Sequence, residues 1–415
     1  MKALKPLNNL IFFLLLLACA QPHEDVMTGL DLLHKDDFKV LQGKRVGLIT
    51  NHTAIDHQKR HAADLLNEHI DLVALYAPEH GIRGQSEAGE RIESGVDPVT
   101  GIPLYSLYGK TRKPTPDMLK GVEALVFDIQ DIGTRFYTYI STLYHCMQAA
   151  AEQNIPFYIL DRPNPISGAI VEGPVLDLEF QSFVGIHKIP LRHGMTVGEL
   201  AQMFAGEGWI GSDSVVLTVI PVQNWKRDMF FDETGLPWVK PSPNIIDLQT
   251  ALVYPGTGLL EGTNVSEGRG TMQPFRLFGA PWISAEQLQS HLEQFSLKGV
   301  TIQDTSFTPT SLPGMSTHPK YLDQPCSGIF LTVNEMSDWR AVDFGIHLLC
   351  SLRDLYPDSV KIKATWLNKL LGTNEITERI INGESANEII SSWSLELTAF
   401  MQKREPYLLY PPLGE

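Results

Sequence analysis

From Arg45 onward, short apolar runs rich in β-branched residues alternate with longer segments whose apolar residues recur at helical spacing. The apolar runs are RVGLIT (45–50), DLVALYA (71–77), ALVFDIQ (124–130) and PFYILD (156–161), and the helix-like segments lie near 58–68 and 136–153. This alternation is typical of a parallel sheet covered by helices, because each return to the same edge of the sheet needs a crossover. The sequence therefore predicts an α/β fold for this part of the chain.

Conspicuous polar residues follow each of these predicted strands. They are Thr50-Asn51-His52, Pro78-Glu79-His80-Gly81, the segment 128–134, and Asp161-Arg162-Pro163-Asn164. In open α/β sheets, ligands bind in the crevice outside the carboxyl ends of the strands. We therefore expect a functional site along this edge, built from the loops that leave the strands.

The later part of the chain predicts a second domain. A helix near 196–206 and a strand near 214–220 close a first domain that we expect to span 27–222. The segment 223–247 is rich in Trp, Pro and charge, which favours a functional loop or a bridge between domains. A second, smaller α/β or α+β domain is predicted over 248–415. Its elements are strands near 299–304 and 328–333 and amphipathic helices near 338–355 and 386–402.

The N-terminal segment has the features of an export signal. Two lysines precede an apolar run at 10–18, which is too short to span a bilayer and is typical of a signal-peptide core. The string LLAC at 16–19 resembles a bacterial lipobox. We predict a signal peptide over 1–18, lipidation of Cys19, and an anchor and tether over 19–26.

These features predict an exported lipoprotein of the cell envelope, held on a membrane by its acyl chains and facing the periplasm. Two or three acyl chains are enough for stable anchoring. The alternative is an ordinary signal peptide with an incidental cysteine.

The charge of the mature chain argues against several partners. Removal of residues 1–18 leaves 31 Lys and Arg against 48 Asp and Glu, a formal charge of −17. An acidic surface of this size argues against nucleic acid or anionic lipid as the main partner. No protein partner can be inferred from the sequence.

The cysteines predict neither a disulfide framework nor a metal site. With Cys19 lipidated, Cys146, Cys326 and Cys350 remain, and an odd number without close spacing fits neither role. Buried small apolar side chains are their expected role.

Several strings hold more Gly, Pro, charge and aromatic residues than regular secondary structure needs. They are YAPEHGIRGQSEAGE (76–90), FDIQDIGTRFYTYIS (127–141), LDRPNPISG (160–168), VEGPVL (171–176), PLRHGMTVGELA (190–201) and YPGTGLLEGTNVSEGRGT (254–271). Their carboxylates include Glu79, Glu87, Glu90, Asp128, Asp131, Asp161, Glu172, Glu261 and Glu267. Such a surplus in predicted loops suggests a catalytic site, because loops on a rigid scaffold commonly carry catalytic groups.

This ordered set of strings resembles the exo-β-N-acetylmuramidase (NamZ-type) family, and the likeness covers nearly the whole mature chain. The resemblance implies a two-domain α/β protein with a Rossmann-like N-terminal domain and a cleft near the domain interface. It also implies hydrolytic release of N-acetylmuramic acid from the non-reducing end of peptidoglycan fragments, so that peptidoglycan-derived sugars are the expected partners.

Glycoside hydrolysis uses one carboxylic acid to protonate the leaving oxygen and a second carboxylate as nucleophile or base. Glu79 is the first candidate for the acid/base because it ends a predicted strand beside His80 and Gly81. Glu267 is the leading second carboxylate, with Glu261 and Asp131 as close competitors. For each of these residues a helix cap or a salt bridge, such as Glu79 with Arg83, is the structural alternative.

The lactyl carboxylate of the substrate requires local positive charge, which arginine supplies in a bidentate manner. The arginines within the strings are Arg83, Arg135, Arg162, Arg192 and Arg269. We rank Arg135 and Arg83 first, and a salt bridge from Arg135 to Asp131 is the structural alternative. The further candidates are His80, Asn164 and Asn264 for substrate contacts, and Tyr137, Tyr139, Trp225 and Trp238, which either stack on sugar faces or pack in the core.

Other chemistries have weaker signals. The glycines of GTGLLEG (256–262) fit neither GxGxxG nor GxxxxGK[ST], and no GxSxG elbow is present. His52, His80, His145 and His193 lack an HExxH arrangement. We therefore expect no metal and no cofactor. The alternative from another class is a non-catalytic, muropeptide-binding envelope lipoprotein, since the same aromatic residues, arginines and anchor would serve capture alone.

Overall fold

A computed structural model of the chain describes residues 25–84, 94–211 and 214–411. The predicted signal peptide, Cys19 and most of the predicted tether lie outside these residues, as do Glu87 and Glu90. The strands are β1 (Arg45–Thr50), β2 (Asp71–Ala77), β3 (Gly95–Val96), β4 (Pro103–Ser106), β5 (Ala124–Asp128), β6 (Phe157–Leu160), β7 (Glu172–Val175), β8 (Pro190–Arg192), β9 (Leu217–Ile220), β10 (Leu277–Ala280), β11 (Val300–Phe307) and β12 (Cys326–Val333).

Helices cover the sheets and fill the later part of the chain. The α-helices are α1 (Gly29–Lys35), α2 (Ala62–His69), α3 (Tyr139–Gln153), α4 (Val197–Gly206), α5 (Leu248–Thr257), α6 (Ala285–Glu293), α7 (Ala341–Leu355), α8 (Ala364–Leu371), α9 (Glu375–Ile381), α10 (Ala386–Ser392) and α11 (Ser394–Arg404). Within the described residues, none of them combines the length and the apolar character that crossing a bilayer requires.

The largest sheet has seven strands in the order β3-β4-β2-β1-β5-β6-β9, and all neighbouring pairs are parallel except β3 and β4. The chain runs from β1 outward through β2 and β4, and then crosses to β5 on the other side of β1. The strand order therefore reverses between β1 and β5. In doubly wound sheets the ligand crevice opens at this switch point, outside the carboxyl ends of the strands.

The second half of the chain is organised around an antiparallel sheet of order β10-β12-β11. Helices α5 and α7 pack closely beside it, and a Cβ on Gly256 would lie 1.9 Å from the carbonyl oxygen of Ala341. The glycine at this position of the GTGLLEG string thus allows two helices to approach each other. A separate two-stranded ribbon, β7 with β8, is inserted in the sequence between β6 and β9 of the large sheet.

One hydrophobic core joins the two halves. A single cluster of buried side chains includes Phe127 and Leu191 from the first half together with Phe278 and Leu349 from the second half. A smaller cluster lies where α1 and α2 cover the other face of the large sheet, with Leu30 and Leu66 among its members. The relative placement of the halves is therefore fixed by packing.

A C-terminal strap, which we define as residues 404–411, returns to the first half. The hydroxyl of Tyr410 donates to the carboxylate of Asp161, and the backbone N–H of Leu409 donates to Glu199 at 2.8 Å. Arg404 donates to the carbonyl of Gly194 at 2.7 Å. Burial raises the pKa of Asp161 to about 6, even though the hydrogen bonds from Tyr410, Thr196 and Gly198 favour its charged form. The strap thus supplies partners to buried polar groups at the end of β6, in α4 and in the loop before α4.

The predicted α/β class is confirmed, and the antiparallel second sheet makes the later part of the chain α+β. Predicted runs 45–50 and 71–77 coincide with β1 and β2. The predicted helix over 386–402 is wrong as a single helix, because the chain bends at Trp393 and forms α10 and α11. The domain limits 27–222, 223–247 and 248–415 stay a prediction.

Candidate active site

A cleft of about 690 Å³ opens at the carboxyl edge of the large sheet and is lined by residues of both halves of the chain. The first half contributes the loops after β2, β4 and β5, and the second half contributes the loop after α5, part of α8 and the loop at 315–318. The lining residues that carry the chemistry below are Glu79, His80, Tyr108, Arg112, Tyr137, Thr138, Tyr139, Phe183, Tyr254, Glu261, Arg269, His318, Trp366 and Lys369. The position agrees with the edge predicted from the polar strand ends.

Glu79 lies on the wall formed by the first half. The residues that follow it, His80 and Gly81, both have left-handed backbones, with φ of 71° and 73°, so the chain turns sharply after the strand. The hydroxyl of Thr138 donates to Glu79 Oε2 at 3.1 Å, and the phenol of Tyr108 is also hydrogen-bonded to this carboxyl. Burial, followed by the nearby Glu79, raises the pKa of Tyr108 above its ordinary value. Glu79 is therefore contacted by neutral hydroxyl groups.

The wall formed by the second half carries ion-paired carboxylates. Arg269 Nη2 lies 2.9 Å from Glu261 Oε1, and Arg269 Nε lies 3.3 Å from Glu267 Oε1. Lys320 Nζ lies 2.8 Å from Glu267 Oε2 and also donates to two backbone carbonyls. The glycine between the charged residues, Gly268, has φ of 76°, and a Cβ there would lie 2.1 Å from the carbonyl oxygen of Leu277.

Charge balance in this cluster favours the ionised form of Glu267. Burial alone would raise the pKa of Glu267, which is 5% exposed, but Lys320 and Arg269 outweigh it and hold the pKa below its ordinary value. Burial would likewise lower the pKa of Arg269, but Glu261 and Glu267 outweigh it and raise the pKa. Of the two carboxylates, Glu261 lines the cleft and Glu267 is buried behind Arg269.

Aromatic rings form the floor between the two walls. Tyr137 lies edge-on to Tyr139 with ring centroids 5.0 Å apart and edge-on to Tyr254 at 6.0 Å. Phe275 continues this arrangement, 4.7 Å from Tyr254. The hydroxyl of Tyr139 donates to the carbonyl of Pro241 at 2.6 Å, which ties α3 to the predicted bridging segment. The four rings are 1% to 8% exposed, so they pack mainly against one another and form the base of the cleft.

Two further cations lie over aromatic rings at the cleft. The guanidinium of Arg112 lies 4.4 Å from the ring centroid of Phe183, and the ammonium of Lys369 lies 6.0 Å from the ring centroid of Trp366. Arg112 follows β4 and Lys369 belongs to α8. They face the cleft from different halves of the chain.

The structure brings six of the predicted site residues to the cleft. They are Glu79, His80, Tyr137, Tyr139, Glu261 and Arg269. Glu267, the leading second carboxylate, does not line the cleft and instead pairs with a residue that does. Sequence analysis ranked Glu267 above Glu261 because Gly268 and Arg269 flank it in a glycine-rich loop, but the sequence does not show which of the two side chains faces the cleft.

Arg135, the first-ranked ligand for the lactyl carboxylate, lies elsewhere. Its side chain is fully buried and donates to the carbonyls of Pro174, Ile189 and Leu370 at 2.8 to 2.9 Å. Burial lowers the pKa of Arg135 to about 9. The guanidinium thus joins the β7–β8 ribbon to α8, and this placement corrects both the substrate role and the alternative salt bridge to Asp131.

The other predicted arginines outside the cleft have internal partners. Arg83 pairs with Asp64 and Asp97, and Arg162 pairs with Asp128. Arg192 donates to the carbonyl of Ile166 and lies 3.6 Å from Glu172. These three arginines connect loops of the protein to one another. The prediction that they contact the substrate is therefore corrected.

Three more predicted site residues have structural roles. Asp131 accepts from the backbone N–H of Gly133 at 2.7 Å and lies 3.6 Å from His193. Asn164 donates to the carbonyl of Met195, and Asn264 contacts Ser359 and Lys361 on the loop before α8. Trp225 and Trp238 pack against Tyr410 and Phe231, as the core-packing alternative predicted.

Within the part of the chain that the structure describes, no cluster of three His, Cys, Asp or Glu side chains is placed to hold a metal ion. The ring of His52 instead contacts the carbonyl of Lys240 at 2.7 Å. The prediction for Cys146, Cys326 and Cys350 is confirmed, since all three are free and buried.

Sequence analysis missed Tyr108, Arg112, Phe183, Lys369 and the loop at 315–318. The first two follow β4, a four-residue strand whose apolar pattern is too short to predict. The available signal was the aromatic and basic string LYGKTRK at 107–113, which lies between the predicted strands 71–77 and 124–130.

Comparisons with known proteins cover nearly the whole chain. The N-terminal and C-terminal family models of exo-β-N-acetylmuramidase NamZ match residues 46–249 and 252–410. The peptidoglycan β-N-acetylmuramidase NamZ of Bacillus subtilis is 48% identical over 388 residues, which cover 93% of this chain and 91% of that protein.

Crystal structures of two DUF1343 family proteins from Bacteroides fragilis have the same fold. The first has a TM-score of 0.86 and 37% identity, covering 94% of this chain and 100% of its own. The second has a TM-score of 0.76 and 34% identity, covering 94% of this chain and 99% of its own.

Proposed function

Because the chain belongs to the exo-β-N-acetylmuramidase NamZ family and is thus a glycosidase, we propose that it releases N-acetylmuramic acid from the non-reducing end of peptidoglycan fragments. The observation that carries this proposal is the cleft, where Glu79 of one half and Glu261 of the other line one aromatic-floored space. A pair of carboxyl groups flanking a sugar is what acid- and base-assisted glycoside hydrolysis needs.

Glu79 is the proposed general acid. Protonation of the leaving oxygen requires a carboxyl group that can hold a proton at the working pH. The hydroxyls of Thr138 and Tyr108 hydrogen-bond Glu79, and a neutral hydroxyl can donate to the ionised carboxylate or accept from the protonated acid. Glu79 can therefore change its protonation state during turnover without losing its orientation.

Glu261 is the proposed second carboxylate. It lines the cleft, and its Oε1 lies 2.9 Å from Nη2 of Arg269. A carboxylate in this position can act as a nucleophile or can take a proton from water. Glu267 acts through Arg269, which it holds in place, and is a positioning residue in this proposal.

The test is hydrolysis of a chromogenic β-N-acetylmuramic acid glycoside by the purified chain from residue 20 onward, in the presence of EDTA. If the sugar is released as fast with EDTA as without it, the result supports a reaction that uses the carboxylates and no metal ion. Activity that returns only with added zinc would reject the metal-free proposal. Tight binding of muropeptides without turnover would favour the alternative of a capture protein.

We also propose that the protein is exported and anchored through lipid on Cys19, on the basis of the LLAC string at 16–19. The anchor would place the enzyme at the cell envelope, where its substrate lies. Cys19→Ser is expected to abolish incorporation of radiolabelled fatty acid. Equal labelling of the wild type and the variant would reject the anchor.

A further inference from the structure

The substrate proposed above carries a charge that a related sugar lacks. N-acetylmuramic acid differs from N-acetylglucosamine by a lactyl ether, whose free carboxylate is negative at neutral pH. An enzyme that selects the former must place a cation where this group lies, and the chain as a whole is strongly acidic. The inference below rests on the proposed function, because it identifies the residue that binds this carboxylate.

Most of the arginines near the cleft already have partners. Arg135 is engaged by three carbonyls, and Arg83 by two aspartates. Arg269 lies in the cleft, but the charges of Glu261 and Glu267 balance it. A second anion beside Arg269 would meet two carboxylates within one cluster, which opposes its binding.

Arg112 differs from these arginines. It lines the cleft, and among the described residues no acidic side chain forms an ion pair with it. Its guanidinium lies over the ring of Phe183, a contact that fixes the planar group while leaving its N–H edge available. Arg112 also interacts electrostatically with the phenol of Tyr108, which is hydrogen-bonded to Glu79.

This arrangement matches the layout of the substrate. The lactyl ether is attached at C3 of the sugar ring, two ring atoms from the C1 whose bond is cleaved. Arg112 and the proposed acid Glu79 line the same cleft, and both interact with one side chain, Tyr108. A carboxylate held by Arg112 would thus keep the scissile bond on the side of the cleft where Glu79 lies.

Besides Arg269, the competing cationic or protonatable groups of the cleft are Lys369, His80 and His318. A lysine ammonium is a point charge on a flexible stem, and an imidazole nitrogen donates a single hydrogen bond. A guanidinium offers two parallel N–H groups that match the two oxygens of a carboxylate. We propose that Arg112 binds the lactyl carboxylate of N-acetylmuramic acid and thereby determines the sugar specificity of the site.

The experiment compares two chromogenic β-glycosides, one of N-acetylmuramic acid and one of its lactyl amide, which has the same shape without the charge. For the wild type, kcat/KM is expected to be about tenfold higher for the acid, equivalent to about 1.4 kcal/mol. This preference should fall as salt is added, because Arg112 is exposed at the rim of the cleft. In Arg112→Gln the two substrates should be cleaved with nearly equal efficiency, and Arg112→Lys should lie between.

Two variants serve as controls. Lys113→Gln removes one positive charge next to Arg112 in the sequence, but Lys113 pairs with Glu152 and does not line the cleft, so the preference for the acid should remain. Lys369→Met tests the competitor, and the preference should also remain. A preference that survives in Arg112→Gln, or that is lost in Lys369→Met instead, would overturn the assignment.

Failure of the proposed function gives a different result. In that case the wild type would cleave neither glycoside, and the role of Arg112 is tested by measuring the binding of free sugars. Calorimetric titration with free N-acetylmuramic acid and N-acetylglucosamine should then show that Arg112→Gln weakens binding of the first sugar alone. Equal affinities of wild type and Arg112→Gln for N-acetylmuramic acid would reject the assignment.

Discussion

The two walls of the cleft hold carboxyl groups in opposite surroundings. On the wall of the first half, Glu79 is contacted by the hydroxyls of Thr138 and Tyr108. On the wall of the second half, Glu261 and Glu267 are joined by Arg269, with Lys320 behind them. Hydroxyl groups thus contact the carboxyl group on one wall, whereas arginine and lysine pair with the carboxyl groups on the other.

This difference assigns separate tasks to the walls. An acid and a base that work in one site commonly lie in different surroundings. On the second wall, Lys320 and Arg269 hold the pKa of Glu267 below its ordinary value, while on the first wall the hydroxyls of Thr138 and Tyr108 can hydrogen-bond Glu79 as donors or as acceptors. The position of each group in the fold, more than its residue type, sets its role.

The largest expected effect tests the role of the first wall. Glu79→Gln keeps the size of the side chain but removes the transferable proton, so kcat/KM for the muramic acid glycoside should fall about a thousandfold. The free energy of unfolding should stay close to that of the wild type. Glu68→Gln, an exposed glutamate on α2, is the matched control and should retain full activity. If Glu261→Gln lowers kcat/KM far more than Glu79→Gln does, Glu261 and not Glu79 is the general acid.

The second largest effect is expected at Arg135, which connects the β7–β8 ribbon to α8. Arg135→Met removes the donor to three buried carbonyls, of Pro174 and Ile189 in the first half and Leu370 in the second. Leaving these acceptors unpaired should lower the free energy of unfolding by about 3 kcal/mol, as measured in urea. Turnover of the acid and of its lactyl amide should fall by equal factors. A selective loss of the acid would restore Arg135 to a role in substrate recognition.

A smaller loss of stability is expected when the ion pairs of Glu267 on the second wall are weakened. Lys320→Met leaves buried Glu267 with Arg269 as its remaining cation, which should cost about 2 kcal/mol of unfolding free energy at pH 7. Lys298→Met, at an exposed lysine, should change stability by less than about 0.5 kcal/mol.

The pH dependence of this loss has a definite sign. The pKa of Glu267 is held below its ordinary value of about 4.3, so the ion pairs stabilise the protein above that pH. Their contribution is lost as the pH falls through the lowered pKa of the folded state. In Lys320→Met the carboxyl group is more easily protonated, so the stability difference from wild type should narrow under acid conditions. A difference that widens with acid would show that Glu267 is not the group concerned.

The smallest effect tests the hydroxyl contact on the first wall. Thr138→Val removes one hydrogen bond to Glu79 and leaves α3 intact, because the Thr138 side chain does not cap the helix. The loss of about 1 kcal/mol should lower kcat about fivefold. Thr142→Val, one turn later on α3 and without a contact to Glu79, is the control. Equal effects of the two variants would make the hydroxyl contact irrelevant to catalysis.

The sequence predicted those parts of the fold whose signal is local. Strands β1, β2 and β5 are continuous apolar runs because both faces of a parallel sheet are covered, and such runs are visible in a single sequence. The ribbon of β7 and β8 has no such pattern, since its strands read EGPV and PLR. They form because the chain around them is already held in place by packing.

The same contrast applies to the site. Glu79 and His80 were predicted because they end a strand, and the edge of the sheet is where a ligand binds. Arg135 was misplaced although it is close in sequence to Tyr137 and Tyr139, which line the cleft. Neighbouring loop residues turn their side chains in different directions, and only the tertiary fold decides which arginine faces the substrate.

The C-terminal strap has a consequence for the order in which the chain matures. Asp161 and Glu199 belong to the first half, yet Tyr410 and Leu409 supply part of their hydrogen bonding. These partners leave the ribosome only after the large sheet has long been synthesised. Until the last residues have been synthesised, Asp161 and Glu199 lack these two hydrogen bonds, so the first half cannot complete its buried hydrogen bonding before the whole chain is present.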